Sequence, residues 1–86
     1  MEMYLFSTPN CPGCKILERR FTDKKISFEK VDCTDGTDKS QLLVARCHVK
    51  NSVPVTAILD KNELKYWEAG TGVDINEVES IMAGER

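Results

Sequence analysis

The chain has 86 residues, of which 12 are basic and 14 acidic, and its net charge at pH 7 is −2. A chain of this length buries a single hydrophobic core, so we expect one domain over residues 1–86. The hydrophobic fraction of 41% and the charged fraction of 30% are ordinary for a globular protein and argue against disorder. The charge balance gives no basic footprint for nucleic acid or for an anionic membrane, so we expect neither partner.

The N-terminal segment lacks the features of a secretory signal. Residues 1–7 contain no basic side chain and no long apolar run before Pro9. No stretch approaches the roughly 20 apolar residues that a membrane span needs. We therefore expect a cytoplasmic protein, and in that reducing compartment four cysteines in a short chain indicate catalysis or metal binding.

The first half of the chain predicts a strand, a helix and a second strand. Met3–Ser7 is a short apolar run that predicts a buried strand. Residues 12–24 predict a helix, because apolar side chains recur there at helical spacing: Cys14, Leu17 and Phe21. Residues 26–32 alternate apolar and polar side chains and predict a second strand. These elements form a βαβ unit, which requires a parallel strand pair and a right-handed crossover.

The second half predicts a helix, a hairpin and a closing helix. Ser40–Cys47 predicts a short helix, and Val55–Leu59 and Leu64–Glu68 predict strands joined by a turn at residues 60–62. A glycine-bearing bend precedes the last helix, whose predicted buried face consists of Ile75, Val78, Ile81 and Met82. The order βαβαββα, an α/β arrangement with a mixed four-stranded sheet flanked by three helices, is that of the thioredoxin-like fold.

Residues 11–14, Cys-Pro-Gly-Cys, lie where the first strand gives way to the first helix. Disulfide exchange needs a thiolate, and a free thiol of pKa about 8.5 is mostly protonated at neutral pH. Unpaired N–H groups and the helix dipole favour a negative charge on Cys11, and Pro12 has a φ preset for the first helical turn. Cys14 belongs to the apolar helix face. We therefore predict that Cys11, the more exposed thiol, attacks and that Cys14 resolves.

A zinc site is the alternative interpretation of this cysteine pair. Such a site needs a second ligand pair at similar spacing. Cys47 and His48 are adjacent, which makes it awkward for both to bind one metal, and Cys33 stands alone. We expect no metal at the dithiol, and metal binding through Cys11 remains the alternative.

The remaining candidate residues each have two interpretations. Cys33 and Cys47 are regulatory or substrate-linked thiols, or else idle buried cysteines, which are commoner. His48, the only histidine, takes part in proton transfer or else ends a helix at the surface, where its positive charge would complement the helix dipole.

Three groups of residues carry a family resemblance: Phe6, Ser7, Cys11, Pro12 and Cys14; Val49, Ser52, Val53 and Pro54; and Asp74 after a glycine-bearing turn. In order and spacing the chain resembles a glutaredoxin, or one of the closely related NrdH redoxins, over nearly its full length. In this fold a cis proline opens the third strand beside the dithiol. The resemblance therefore implies a cis bond between Val53 and Pro54 and an extended substrate that pairs with the backbone of Val53.

The resemblance also implies a groove for glutathione. Besides the Val53–Pro54 pair, its residues would be Thr8 and Pro12 beside the dithiol, and Gly72, Val73 and Asp74 at the γ-glutamyl end. Asp74 has a second interpretation, in which it caps the last helix together with Glu77. The chain departs from many glutaredoxins at two positions, since Thr8 replaces a basic residue and Gly13 an aromatic one. Both departures weaken the expected binding of glutathione.

The family resemblance also implies an oligomeric state, a co-substrate and protein partners. It implies a monomer without a tightly bound cofactor, which reduces protein disulfides or glutathione mixed disulfides with glutathione as co-substrate. Tyr66–Gly70 resembles a segment of NrdH redoxins, which take electrons from thioredoxin reductase and serve ribonucleotide reductase; Trp67 equally suits a half-buried strand. Some glutaredoxins bridge an iron–sulfur cluster through the first cysteine, an alternative that Pro12 and Cys14 disfavour.

Overall fold

The computed structural model describes residues 1–49, 53–61 and 63–83. Within these ranges the elements follow one another as β1 (Glu2–Ser7), α1 (Pro12–Asp23), β2 (Glu29–Asp32), α2 (Asp38–Arg46), β3 (Val55–Asp60), β4 (Glu63–Ala69) and α3 (Ile75–Ala83). This is the predicted βαβαββα order. None of the helices in the described ranges is long and apolar enough to cross a membrane.

The four strands form one mixed sheet in the order β2-β1-β3-β4. β1 and β2 are parallel, with Phe6 opposite Val31, which confirms the predicted βαβ unit. β3 pairs antiparallel with both β1 and β4. Because β1 lies inside the sheet, its last residue, Ser7, has the end of β2 on one side and the start of β3 on the other.

Two hydrophobic cores lie on opposite faces of the sheet, because successive strand side chains point to opposite faces. The α2-side core contains Tyr4, Phe6, Val31, Leu43, Cys47, Val49, Val55, Ala57 and Leu59. The α1/α3-side core contains Met3, Leu5, Leu17, Phe21, Ile58, Val73 and Val78. The predicted buried face of α3 is confirmed, since Val78 is buried and the other three residues pack against this core. The α1/α3-side core therefore holds α1 against the sheet, with the first turn of the helix at the end of β1.

β2 is shorter than the sequence pattern predicts, because it begins at Glu29 instead of Ile26. The preceding residues close helix α1: Lys25 has a positive φ of 57°, and the Ile26 N–H donates to the Phe21 carbonyl at 2.9 Å. Phe28 packs edge-to-face on Phe21, with ring centroids 5.4 Å apart. The alternation from Ile26 onward therefore reports packing against the core of α1 and not pairing with β1.

Helix α2 begins at Asp38, ahead of the predicted start at Ser40. The side chain of Thr37 caps it, since Thr37 Oγ1 accepts the Ser40 N–H at 3.2 Å. Asp35 supports the cap by accepting the Thr37 N–H and the Ser40 hydroxyl, and the Thr37 N–H is the main cause of its lowered pKa. Two predicted residues lie outside the described ranges: Asn62 of the hairpin turn and Ser52 of the family pattern.

Candidate active site: a dithiol between two walls

Cys11 caps the N-terminus of α1 with its sulfur. Its backbone is extended, and its Sγ accepts the Cys14 N–H at 3.1 Å. Pro12 occupies the first turn, where no N–H is required. A donor aimed at Sγ stabilises negative charge on Cys11, in the way that an N–H stabilises the oxygen of an ordinary N-cap. Cys11 and Cys14 form a disulfide with their Cα atoms 5.3 Å apart.

The two cysteines differ in exposure. Cys11 is 8% exposed and Cys14 is 1% exposed, which confirms that Cys11 is the more accessible of the pair. Cys14 Sγ lies under the first turn of α1, 4.0 Å from the Phe6 carbonyl oxygen. A partner from solvent can therefore reach Cys11 more easily, while Cys14 is placed to react with Cys11.

One wall of the site, on the β3 side, is built on close contacts. The Val53–Pro54 bond is cis, as the resemblance implies. A Cβ on Gly13 would lie 3.0 Å from the methyl carbon of Thr71 and 3.4 Å from Pro54 Cδ. A side chain at position 13 would therefore need Thr71 or Pro54 to shift by a few tenths of an ångström.

The loop from Gly70 to Asp74 is tied at several points. Gly70, with φ of 88°, donates its N–H to the Pro54 carbonyl at 2.8 Å. The guanidinium of Arg20 donates to the carbonyls of Thr71 at 2.8 Å and of Val73 at 3.2 Å. Neither Arg20 nor Thr71 is predicted from the sequence as a site residue, because their contact joins distant parts of the chain.

The end of this loop caps α3. Asp74 Oδ1 accepts the Glu77 N–H at 3.2 Å, which confirms the capping interpretation of Asp74. The Asp74 N–H in turn donates to the Tyr66 hydroxyl at 3.3 Å, while burial is the main cause of a raised pKa of Tyr66. Gly72 is exposed, whereas Val73 is buried and belongs to the α1/α3-side core. Val73, at 3% exposure for the whole residue, therefore offers a ligand almost no surface.

The other side of the dithiol, next to β2, borders a partly open cavity of about 210 Å³. We call it the polar cavity, because most of its lining side chains are charged or carry a hydroxyl. It is lined by Ser7, Thr8, Pro9, Cys11, Cys14, Lys15, Glu18, Lys30 and Asp32. Lys30 Nζ lies 3.4 Å from Glu18 Oε1, and Asp32 Oδ1 accepts the N–H and hydroxyl of Thr34 at 2.8 and 2.6 Å. Within the described ranges the Ser7 hydroxyl has no hydrogen-bond partner. One signal for this cavity was present in the sequence, since Glu18 lies one helical turn after Cys14.

The two free cysteines lie apart from the dithiol, in or against the α2-side core. Cys47 is buried at the end of α2, and burial raises the pKa of its thiol. Cys33 is partly buried after β2, and its N–H donates to the Ser7 carbonyl at 2.9 Å. Burial, followed by the Asp32 carboxylate, raises the pKa of Cys33.

The remaining sequence candidates lie on the surface. His48 is exposed directly after α2 with φ of 55°, so it ends that helix as one of its two interpretations predicts. Trp67 is a strand residue of β4 and is 42% exposed. Over residues 1–49, 53–61 and 63–83, no three histidine, cysteine or acidic side chains are grouped so that they could hold a metal ion.

Comparison with known proteins identifies the fold. No protein-family model and no curated protein matches the sequence. Thioredoxin 1 of Thermosipho africanus superposes with a TM-score of 0.67 at 23% identity, covering 96% of this chain and 91% of its own. The Deadhead thioredoxin of Drosophila melanogaster gives 0.61 at 25% identity, covering 98% and 79%. A thioredoxin f2 solved with ferredoxin:thioredoxin reductase gives 0.64 at 17% identity, covering 99% and 79%. The chain therefore has the thioredoxin-like fold.

Proposed function

We propose that this protein is a thiol–disulfide oxidoreductase that reduces protein disulfides or glutathione mixed disulfides with Cys11 and Cys14. The observation that carries the proposal is the cap of α1: the more exposed sulfur, Cys11, accepts the Cys14 N–H and is bonded to the buried sulfur of Cys14. The thioredoxin-like fold and the cis bond before Pro54 support it.

The proposed reaction transfers two electrons to the substrate. The Cys11 thiolate attacks one sulfur of the substrate disulfide, the substrate S–S bond breaks, and one substrate thiolate leaves as a mixed disulfide forms. The Cys14 thiol loses its proton and attacks Cys11 Sγ, which releases the second substrate thiolate. The two substrate sulfurs end as thiols, and the protein ends with the Cys11–Cys14 disulfide.

We propose glutathione as the reductant that restores the dithiol, with no tightly bound cofactor, in a monomeric cytoplasmic protein. The cis proline and the exposed loop position Gly72 support a groove for this tripeptide. A specific contact favours the alternative, an NrdH-type redoxin reduced by thioredoxin reductase and serving ribonucleotide reductase. Thr71 takes the space where many glutaredoxins carry an aromatic residue, next to Gly13. One structural neighbour, a thioredoxin f2, was solved with ferredoxin:thioredoxin reductase.

Two assays run side by side test the proposal. The first follows turnover of a small glutathione mixed disulfide with reduced glutathione, and the second couples the protein to thioredoxin reductase. Cys11→Ser is the blank for both. Turnover in the first assay supports the glutathione-linked enzyme, and turnover in the second alone supports the NrdH-type alternative. If neither assay responds above the blank, the redox function is wrong and metal binding through Cys11 becomes the leading alternative.

A further inference from the structure

Arg20 makes a two-point contact that joins the helix of the dithiol to a distant loop. Nη1 donates to the Thr71 carbonyl at 2.8 Å, and Nη2 donates to the Val73 carbonyl at 3.2 Å. The planar guanidinium presents its nitrogens as a rigid fork, so both carbonyls can be held at once without rearrangement. The contact fixes the loop backbone relative to α1, which carries Cys11 and Cys14 at its start.

The loop held by Arg20 also closes the β3 side of the dithiol. The Thr71 methyl group and Pro54 both lie close to Gly13, so that a Cβ on Gly13 would approach them to 3.0 and 3.4 Å. A second tie runs from the Gly70 N–H to the Pro54 carbonyl at 2.8 Å. We call residues 70–73 the Thr71 wall. It is tied to the cis-proline segment on one side and to α1 on the other.

We propose that Arg20 is a positioning residue that holds the Thr71 wall in place and thereby sets the affinity for an extended peptide carrying a disulfide. Such a peptide would pair with the backbone of Val53 and lie between Pro54 and Thr71 as its sulfur reaches Cys11. Arg20 touches neither sulfur, so it acts on binding and not on the exchange step. This inference rests on the proposed function and names a residue that controls its substrate specificity.

The test compares Arg20→Gln with Arg19→Gln, which removes the neighbouring exposed charge of the same helix. Pre-reduced protein is mixed with a synthetic disulfide-bridged peptide or with hydroxyethyl disulfide, which has no peptide backbone. For Arg20→Gln we expect the peptide's half-saturation concentration to rise about fivefold at an unchanged maximal rate, because two charged hydrogen bonds at a partly exposed site are lost. Arg19→Gln should match the parent, and all three proteins should react equally with hydroxyethyl disulfide.

Two further variants separate positioning from a general structural role. Arg20→Lys should recover only part of the affinity, because one ammonium group replaces a fork. Gly13→Ala should push the Thr71 wall from the opposite side and raise the half-saturation concentration without removing a charge. Since both variants act on one wall, the double variant Gly13→Ala with Arg20→Gln should lose less affinity than the two single losses combined.

The contrary outcomes are distinct. If Arg20→Gln matches Arg19→Gln on the peptide, or slows both disulfides equally, or combines additively with Gly13→Ala, the positioning role is wrong. If the parent reduces neither disulfide, the proposed function fails, and amide hydrogen exchange then tests the wall alone. The amides of residues 71–73 should exchange faster in Arg20→Gln than in Arg19→Gln, and equal rates would overturn the inference.

Discussion

The two sides of the dithiol are built differently. On the β3 side, Gly13 meets Thr71 and Pro54 so closely that a single added carbon would force a neighbour to shift. On the β2 side, the same two cysteines border a cavity of about 210 Å³ that contains carboxylates and ammonium groups. Both sides follow from one topological fact, since β1 lies between β2 and β3 and α1 starts directly after it.

The contrast separates two tasks that disulfide exchange requires. Recognition of an extended chain needs accessible residues beside a segment of fixed position, and on the β3 side Thr71 and Gly72 are exposed in a loop tied to Arg20 and to Pro54. Proton transfer to or from a buried thiol needs a charged group and room for water, which occupies about 30 Å³ per molecule in the liquid. The β2 side has these features, because Glu18 and Asp32 line the same cavity as Cys14. Predictions about each side can be made separately.

The largest effect should come from the cysteines themselves. Cys11→Ser should abolish reduction of a peptide disulfide, because a hydroxyl does not replace a thiolate as the attacking group. Cys14→Ser should instead accumulate a mixed disulfide between Cys11 and the peptide, which mass spectrometry of the unreduced protein would detect. If Cys14→Ser turns over the peptide disulfide as the parent does, Cys14 is not the resolving thiol.

On the polar side, Glu18→Gln should slow the resolving step. Cys14 is 1% exposed, and a buried thiol loses its proton reluctantly because the anion lacks hydration. Glu18 lines the cavity and is held by Lys30, so it is placed to accept that proton through water. We expect decay of the mixed disulfide to slow by about tenfold, which is less than the hundredfold or more usual for loss of a general base, because Asp32 remains in the cavity.

The control for Glu18→Gln is Asp23→Asn, which removes a carboxylate of the same helix that does not line the cavity. It should leave the decay of the mixed disulfide unchanged. The affinity for the peptide should be unaltered in both variants, because among the described residues no hydrogen bond or ion pair joins either carboxylate to the Thr71 wall. A raised half-saturation concentration in Glu18→Gln with normal decay would contradict the separation of the two sides.

Local sequence patterns predicted the fold and the dithiol because those features depend on short-range chemistry. The helical spacing of Cys14, Leu17 and Phe21 reports the face that α1 buries. Pro12 and the flanking cysteines report the start of that helix. The boundary error at β2 has the same origin, because Ile26 and Phe28 give a strand-like alternation while they pack against Phe21.

The contacts on the two sides of the dithiol could not be predicted from local sequence patterns. Arg20 and Thr71 are far apart in the chain. The sequence around each of them has no pattern that predicts hydrogen bonds from the Arg20 guanidinium to two carbonyls of the loop. The approach of Thr71 to Gly13 likewise depends on the folded loop and leaves no local sequence pattern. Long-range contacts of this kind determine the width and charge of a site. They cannot be predicted from local patterns, because they leave no periodic signal in the sequence.

Two buried hydroxyls test whether the polar cavity holds water. Ser7 Oγ and Thr56 Oγ1 both lack a hydrogen-bond partner among the described residues, but only Ser7 lines the cavity. Thr56→Val should raise the free energy of unfolding by about 1 kcal/mol, because it removes a desolvated hydroxyl at nearly constant shape. Ser7→Ala should give a smaller change in denaturant unfolding, since a rotation of the Ser7 side chain toward the cavity would let water satisfy its hydroxyl, which is buried in this structure. An equal gain for both variants would indicate a dry cavity.

The smallest effect concerns Cys33, which follows β2 at the edge of the polar side. Its pKa is raised by burial and then by the Asp32 carboxylate, so Asp32→Asn should lower that pKa and increase the thiolate fraction. With the Cys11–Cys14 disulfide left intact, alkylation of Cys33 by iodoacetamide at pH 8 should accelerate about threefold, because reactivity follows the thiolate. Cys47 in the same sample is the internal control, since it is fully buried and Asp32 does not contribute to its raised pKa. Acceleration at both cysteines would mean that Asp32→Asn loosens the protein, whereas acceleration at Cys33 alone would show that the negative charge of the β2 side extends beyond the cavity.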